Sequence, residues 1–86
     1  MSIIDILYFA WVRERIGKDS ESIEHPGADA TIATLIGQMA ELGGGYAEAF
    51  AEPDRVRAAL DQVFVPLDAK LGNARELALF PPVTGG

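Results

Sequence analysis

The 86 residues carry a formal net charge of −6, and 49% of them are apolar, which fits one small globular domain with one core and argues against disorder. The acidic balance disfavours nucleic acid as a partner and favours a basic groove on another protein. There is no cysteine, which excludes disulfides, zinc–thiolate sites and thiol nucleophiles, and no apolar run reaches the length of a membrane span or a signal peptide, so a cytoplasmic protein without membrane contact is expected.

Ile3 to Phe9 is rich in β-branched and aromatic residues and reads as a strand covered on both faces. Ala10 to Ile16 follows as a short helix, with Val12 and Ile16 on one face and Gly17 as its stop. Glu21 to His25 is a second strand, ended by Pro26-Gly27. Thr31 stands where an N-cap belongs, with Asp29 as the alternative. Ile32, Leu35, Ile36, Met39 and Leu42 then repeat at spacings of three and four, the apolar stripe of a helix packed on a core. Gly43-Gly44-Gly45 ends that helix, and Tyr46 and Phe50 mark one or two further helical turns before Pro53.

The last third is strand-like. Val56, Ala58 and Leu60 alternate with Arg55, Arg57 and Ala59, and Asp61-Gln62 turns the chain into Val63-Phe64-Val65. Leu77 and Leu79 alternate with Glu76, Ala78 and Phe80 in a final strand. The expected fold is α+β: one mixed sheet with one main helix across it, the β-grasp arrangement. The first and last strands would pair in parallel at its centre. Residues 1–80 form the domain, and residues 81–86 form an extended tail.

Three candidate sites give way to plain readings. His25 is the only histidine. Pairing it with Ser22 or Glu24 leaves no third group to orient a dyad. Gly43-Gly44-Gly45 follows a helix and lacks the lysine and hydroxyl of a phosphate loop. The acidic residues Asp19, Glu21 and Glu24, and Glu48, Glu52 and Asp54, miss the spacing of a calcium loop and read as solvated faces, so no metal site is expected. The arginine pairs Arg13 and Arg15, and Arg55 and Arg57, read as solvated too.

The ending "LFPPVTGG" reads differently. Pro81-Pro82 favours an extended conformation, and the six residues from Pro81 to Gly86 can reach at most roughly 20 Å. Glycine has no Cβ, so Gly85 and Gly86 fit a channel too narrow for other residues. The group with chemistry to offer at the tip is the carboxylate of Gly86. A carboxylate becomes an acyl donor once its oxygen is a good leaving group, which adenylation by ATP achieves. No nucleotide motif is present here, so a partner enzyme would supply the activation. Attack by a sulfur nucleophile would then leave a thiocarboxylate, a way for a chain without cysteine to carry sulfur.

With those residues in view, the chain resembles the small subunits of molybdopterin synthase, a family of ubiquitin-like sulfur carriers. "ILYFAWVRERIG" (Ile6 to Gly17), "ATIATLIGQM" (Ala30 to Met39) and "LFPPVTGG" (Leu79 to Gly86) carry the likeness. Phe80-Pro81-Pro82-Val83 is its most specific part, because Gly-Gly ends are common to ubiquitin-like carriers. Thr84 stands where serine is commoner. Ala74-Arg75-Glu76 and Asp61-Gln62 depart from the family's usual Gly-Asp-Glu and Asn-containing turns. The resemblance implies a β-grasp fold and no bound cofactor. It implies that a ubiquitin-activating-like adenylyltransferase activates Gly86 with ATP and that a sulfur-donor protein then loads it as a thiocarboxylate. It further implies that Phe80, Pro81, Pro82, Val83, Thr84 and Gly85 bind and enter the large synthase subunit, in a heterotetramer that delivers sulfur to cyclic pyranopterin monophosphate for molybdenum cofactor biosynthesis. This chain would be the non-catalytic, sulfur-donating subunit of a sulfurtransferase complex, with Gly86 as its reacting position. The alternatives are a carrier for thiamin or cysteine synthesis, a modifier forming isopeptides through Gly86, and an interaction module with an inert tail.

Overall fold

A computed structural model describes residues 2–82. Five strands form one mixed sheet in the order β2-β1-β5-β3-β4. They are β1 (Ile3–Tyr8), β2 (Ser20–Glu24), β3 (Arg57–Leu60), β4 (Val63–Val65) and β5 (Glu76–Phe80). Three helices accompany them: α1 (Ala10–Ile16), α2 (Ile32–Ala40) and α3 (Gly44–Ala49), with a 3-10 turn at Pro53–Arg55. β1 and β5 run parallel at the centre, with Ile6 opposite Leu77 and Tyr8 opposite Leu79. β2, β3 and β4 are added by antiparallel pairing.

Alternation explains the core. Ile4, Ile6 and Tyr8 of β1 and Leu77 and Leu79 of β5 point to one face and are buried. Ile32, Leu35, Ile36 and Met39 of α2 close over that face in the same buried cluster. The other face of the sheet has no covering layer among the described residues, so β1 is not covered on both faces as its apolar run suggested: Ile3 is 56% exposed and Asp5 is exposed too, because every helix packs on the opposite side. Ala59 is buried there all the same, because Ala78 and Phe64 flank it in register.

The helix boundaries follow local chemistry. Thr31 caps α2: its Oγ1 accepts the Thr34 N–H at 3.1 Å. Asp29 instead lies 3.7 Å from Lys70 in an exposed ion pair. The N–H groups of Ile32 and Ala33 donate to the carbonyls of Ala69 and Leu67, so the segment before β5 satisfies donors that a helix start otherwise leaves open. Gly17 ends α1 with φ 86°, the left-handed conformation that glycine takes without strain.

Two expectations about the helices need correction. α2 stops at Ala40, and Leu42 lies beyond it, 69% exposed. The Leu42 N–H turns back to the Met39 carbonyl at 3.0 Å, so the chain tightens and Leu42 leaves the buried stripe. Gly43-Gly44-Gly45 also does more than end a helix, since Gly44 and Gly45 open α3. A Cβ on Gly45 would collide with the Arg15 carbonyl oxygen, so a side chain there would push α3 off the end of α1.

The turn residues that depart from the family pattern are accommodated. Asp61 and Gln62 both have positive φ, 48° and 72°, as a two-residue turn between antiparallel strands requires. The Asp61 carboxylate accepts the N–H groups of Arg75 and Glu76, each at 3.0 Å, and so ties that turn to the start of β5. No helix among the described residues is long and apolar enough to cross a membrane.

Candidate functional site at the root of the tail

β5 ends at Phe80, and Pro81 and Pro82 lead away from it, half-buried and outside any regular element. Val83, Thr84, Gly85 and Gly86, on which the tail chemistry was expected, lie outside the described residues. What is placed is the root from which the tail departs.

The alternation of β5 decides the face of Phe80. Leu77 and Leu79 go into the core, so Glu76, Ala78 and Phe80 stand on the uncovered face. Phe80 packs against Phe64 of β4, with ring centroids 5.5 Å apart and planes inclined by 45°. Phe64 is 76% exposed, a large apolar side chain left in water at a strand edge. The two rings, with Val65, Pro66, Arg57 and Ala58, line an open concavity of about 400 Å³. Arg57 sits opposite Phe80 in register and is held by the carbonyls of Asp54 and Val56, at 2.8 and 3.2 Å. An apolar hollow beside the point where the chain leaves β5 suits contact with a partner protein.

Sequence reading assigned no role to Phe64, which it placed in a strand. The signal lay in the turn: a two-residue loop at Asp61-Gln62 fixes Phe64 opposite Ala59 and so puts its ring on the uncovered face.

The remaining candidates stay separate from this hollow. His25 falls just after β2, with its Nδ1 accepting the Gly27 N–H at 3.0 Å. Ser22 does not pair with it, since the Ser22 hydroxyl donates to Asp5 at 2.6 Å. No cluster of metal-ligating side chains occurs among the described residues. The acidic residues are not all solvated, however. Glu21 accepts hydrogen bonds from the hydroxyls of Tyr8, at 2.7 Å, and Tyr46, at 2.6 Å. Lys18 lies 3.3 Å from the same carboxylate. Partial burial opposes the charge on Glu21, but the bonds from Tyr46, Tyr8 and Lys18 outweigh it and hold the carboxyl below its ordinary range. Burial, together with the bond to Glu21, pushes the Tyr8 hydroxyl up. This knot joins β1, β2 and α3.

Comparison with known proteins agrees with the fold and reaches along nearly the whole chain. The profile of the ThiS family matches residues 6–86. The molybdopterin synthase sulfur carrier subunit of Escherichia coli is 39% identical over 98% of this chain and all of its own length. That of Haemophilus influenzae is 36% identical, again over 98% of this chain and its full length. Among solved structures, a Pyrococcus furiosus protein described as molybdopterin converting factor subunit 1 superposes with a TM-score of 0.72. It is 28% identical, and the match covers 96% of this chain and all of that one. The parallel central pair, the crossing helix and the likeness along both sequences agree: the chain belongs to the ThiS family of ubiquitin-like β-grasp proteins and is similar along its length to molybdopterin synthase sulfur carrier subunits.

Proposed function

We propose that this protein is the sulfur-carrying subunit of a molybdopterin synthase and works through the carboxylate of Gly86. One observation carries the reading: the family match runs through residue 86, so the tail belongs to the matched unit. The aromatic hollow at the tail root supports it, because it gives the large subunit a surface on which to hold the domain.

The chemistry follows from the tip. The Gly86 carboxylate attacks the α-phosphorus of ATP in the active site of a partner adenylyltransferase, and pyrophosphate leaves. Hydrosulfide supplied by a donor protein attacks the acyl adenylate, the C–O bond to AMP breaks as the C–S bond forms, and loss of the S–H proton leaves a thiocarboxylate. The loaded tail then enters the large subunit and gives its sulfur to cyclic pyranopterin monophosphate. Gly85 serves by lacking a side chain, and Pro81-Pro82 keeps the reach extended. The catalytic side chains belong to the partners.

Adding one alanine after Gly86 tests this. The reactive carbon would move by roughly 3.5 Å, and a displacement of about 1 Å can cost on the order of a hundredfold in rate. The extended protein should fold normally, bind the large subunit and fail to convert the precursor. Wild-type protein incubated with adenylyltransferase, ATP and a sulfur source should gain the sulfur-for-oxygen mass difference in its C-terminal peptide. Normal molybdopterin synthesis by the extended protein, without trimming back to Gly86, would refute the reading. Gly86 joined to lysines of other proteins would mark a modifier instead.

A further inference from the structure

β2 is an edge strand, with β1 on one side only. The Tyr8 N–H donates to the Asp19 carbonyl and the His25 N–H to the Ser2 carbonyl, both at 2.9 Å. With Ile6 opposite Glu21 and Ile4 opposite Ile23, the antiparallel pattern turns the main-chain groups of Glu21 and Ile23 toward β1. It turns those of Ser20, Ser22 and Glu24 away from the sheet. None of these three has a backbone partner among the described residues. They present a row of open donors and acceptors about 17 Å long.

Directly beside that row, between β2 and α2, lies an apolar groove of about 200 Å³. Ile23, Leu35, Met39 and Leu42 form its walls. The exposure of Leu42 belongs to this groove: once out of the α2 stripe, it stands at the rim. The surrounding charge is acidic, with Glu24 exposed at one end of β2 and Glu41 exposed next to Leu42; at the other end Asp19 is exposed and lies 3.7 Å from Arg13 in a surface ion pair, and Lys18 is engaged by Glu21.

We propose that the β2 edge and this groove take an extended apolar peptide flanked by lysine or arginine, which adds to the sheet as a sixth strand. The open main-chain groups would supply affinity, alternate side chains of the peptide would fill the groove, and the carboxylates would choose basic flanks. A second copy of this chain is a poor occupant. Antiparallel β2–β2 pairing about Ser22 would bring Asp19 and Glu24 of each copy near those of the other, in chains that each carry −6. The groove lies on the helical side of the sheet and the Phe64–Phe80 hollow on the other, so both can be filled at once. The proposal therefore does not depend on the sulfur-carrier reading.

The test is a nuclear magnetic resonance titration of the full chain with the blocked heptapeptide acetyl-KVTVTVK-amide. The amides of Ser20, Ser22 and Glu24 should shift and gain exchange protection, with the Leu42 methyl groups moving alongside. Binding should weaken as salt is added. It should be lost when alternate peptide nitrogens are methylated, and should fall roughly tenfold in Leu42→Lys, which places a cation at the rim without touching the core. Three outcomes would overturn the proposal: shifts confined to the Phe64–Phe80 hollow, equal binding by the methylated peptide, or unchanged binding by Leu42→Lys. Protection of the same three amides in the protein alone, rising with its concentration, would assign the edge to self-association and overturn it as well.

Discussion

Glu21 shows how one residue can escape a reading of charge pattern. In sequence it is one acid among several flanking a strand. In the fold, the hydroxyls of Tyr8 and Tyr46 arrive from β1 and α3 and donate to its carboxylate. Because the folded state holds this carboxyl below its ordinary value, its contribution is complete above the unfolded value and is lost as pH falls through the lower folded one. Glu21→Gln should therefore cost stability at neutral pH, on the order of 1 kcal/mol for a partly solvated network. Variant and wild type should converge in acid, below the ordinary glutamate range. Urea denaturation across pH checks this; a difference that persists undiminished in acid would mean that packing, and not charge, is lost. The Tyr8 shift has the opposite sense: its raised value contributes stability that disappears only in strong alkali.

At the scale of elements, α2 is the part of the fold most open to reading in the sequence. Its cap, start and four buried positions follow from Thr31 and the spacing of Ile32, Leu35, Ile36 and Met39. Its end does not, because periodicity alone cannot say where hydrogen bonding stops, and Leu42 continues the phase without continuing the helix. The two leucines make a paired test. Leu35→Ala should cost about 2–5 kcal/mol, the range for truncating a buried leucine, a large share of a small domain's stability. Leu42→Ala should change stability by less than about 0.5 kcal/mol, as for a surface substitution. Thermal or chemical unfolding of the two variants decides it, and equal losses would put Leu42 back in the core. The β3–β4 turn was likewise legible in position, while its backbone was not: Asp61 and Gln62 carry positive φ without the usual glycine, and Asp61 is held by contacts with Arg75 and Glu76 that are remote in sequence.

For the whole molecule, the two faces of the sheet divide the work. One face carries the helices and the core. The other is open, and at the tail root it exposes Phe64 beside the half-buried Phe80. Phe80→Ala should leave the fold intact, because the ring lies outside the core cluster. It should weaken association with the large subunit by about 2 kcal/mol or more if the ring is an anchor, roughly thirtyfold in Kd. Phe64→Ala should act in the same direction and less than additively with Phe80→Ala, since the rings touch. Calorimetric titration with the large subunit, alongside circular dichroism of the free variants, separates binding from folding. Unfolding of Phe80→Ala would make that ring part of the core instead.

The order of elements, the alternation of β5, the buried stripe of α2 from Ile32 to Met39, the lack of cysteine and the family likeness of the ending are all legible along the chain. These are local properties: alternation, helical spacing, capping and residue type act within a few positions, so they can be read along the chain. The folded arrangement settles which distant residues meet. It brought Phe64 against Phe80, gave Glu21 its two tyrosines, set Gly45 against the Arg15 carbonyl and left Ser20, Ser22 and Glu24 at an open edge beside Leu42. Each of these depends on strand order and register. Those are set by the packing of the whole core, which no short stretch of the sequence carries.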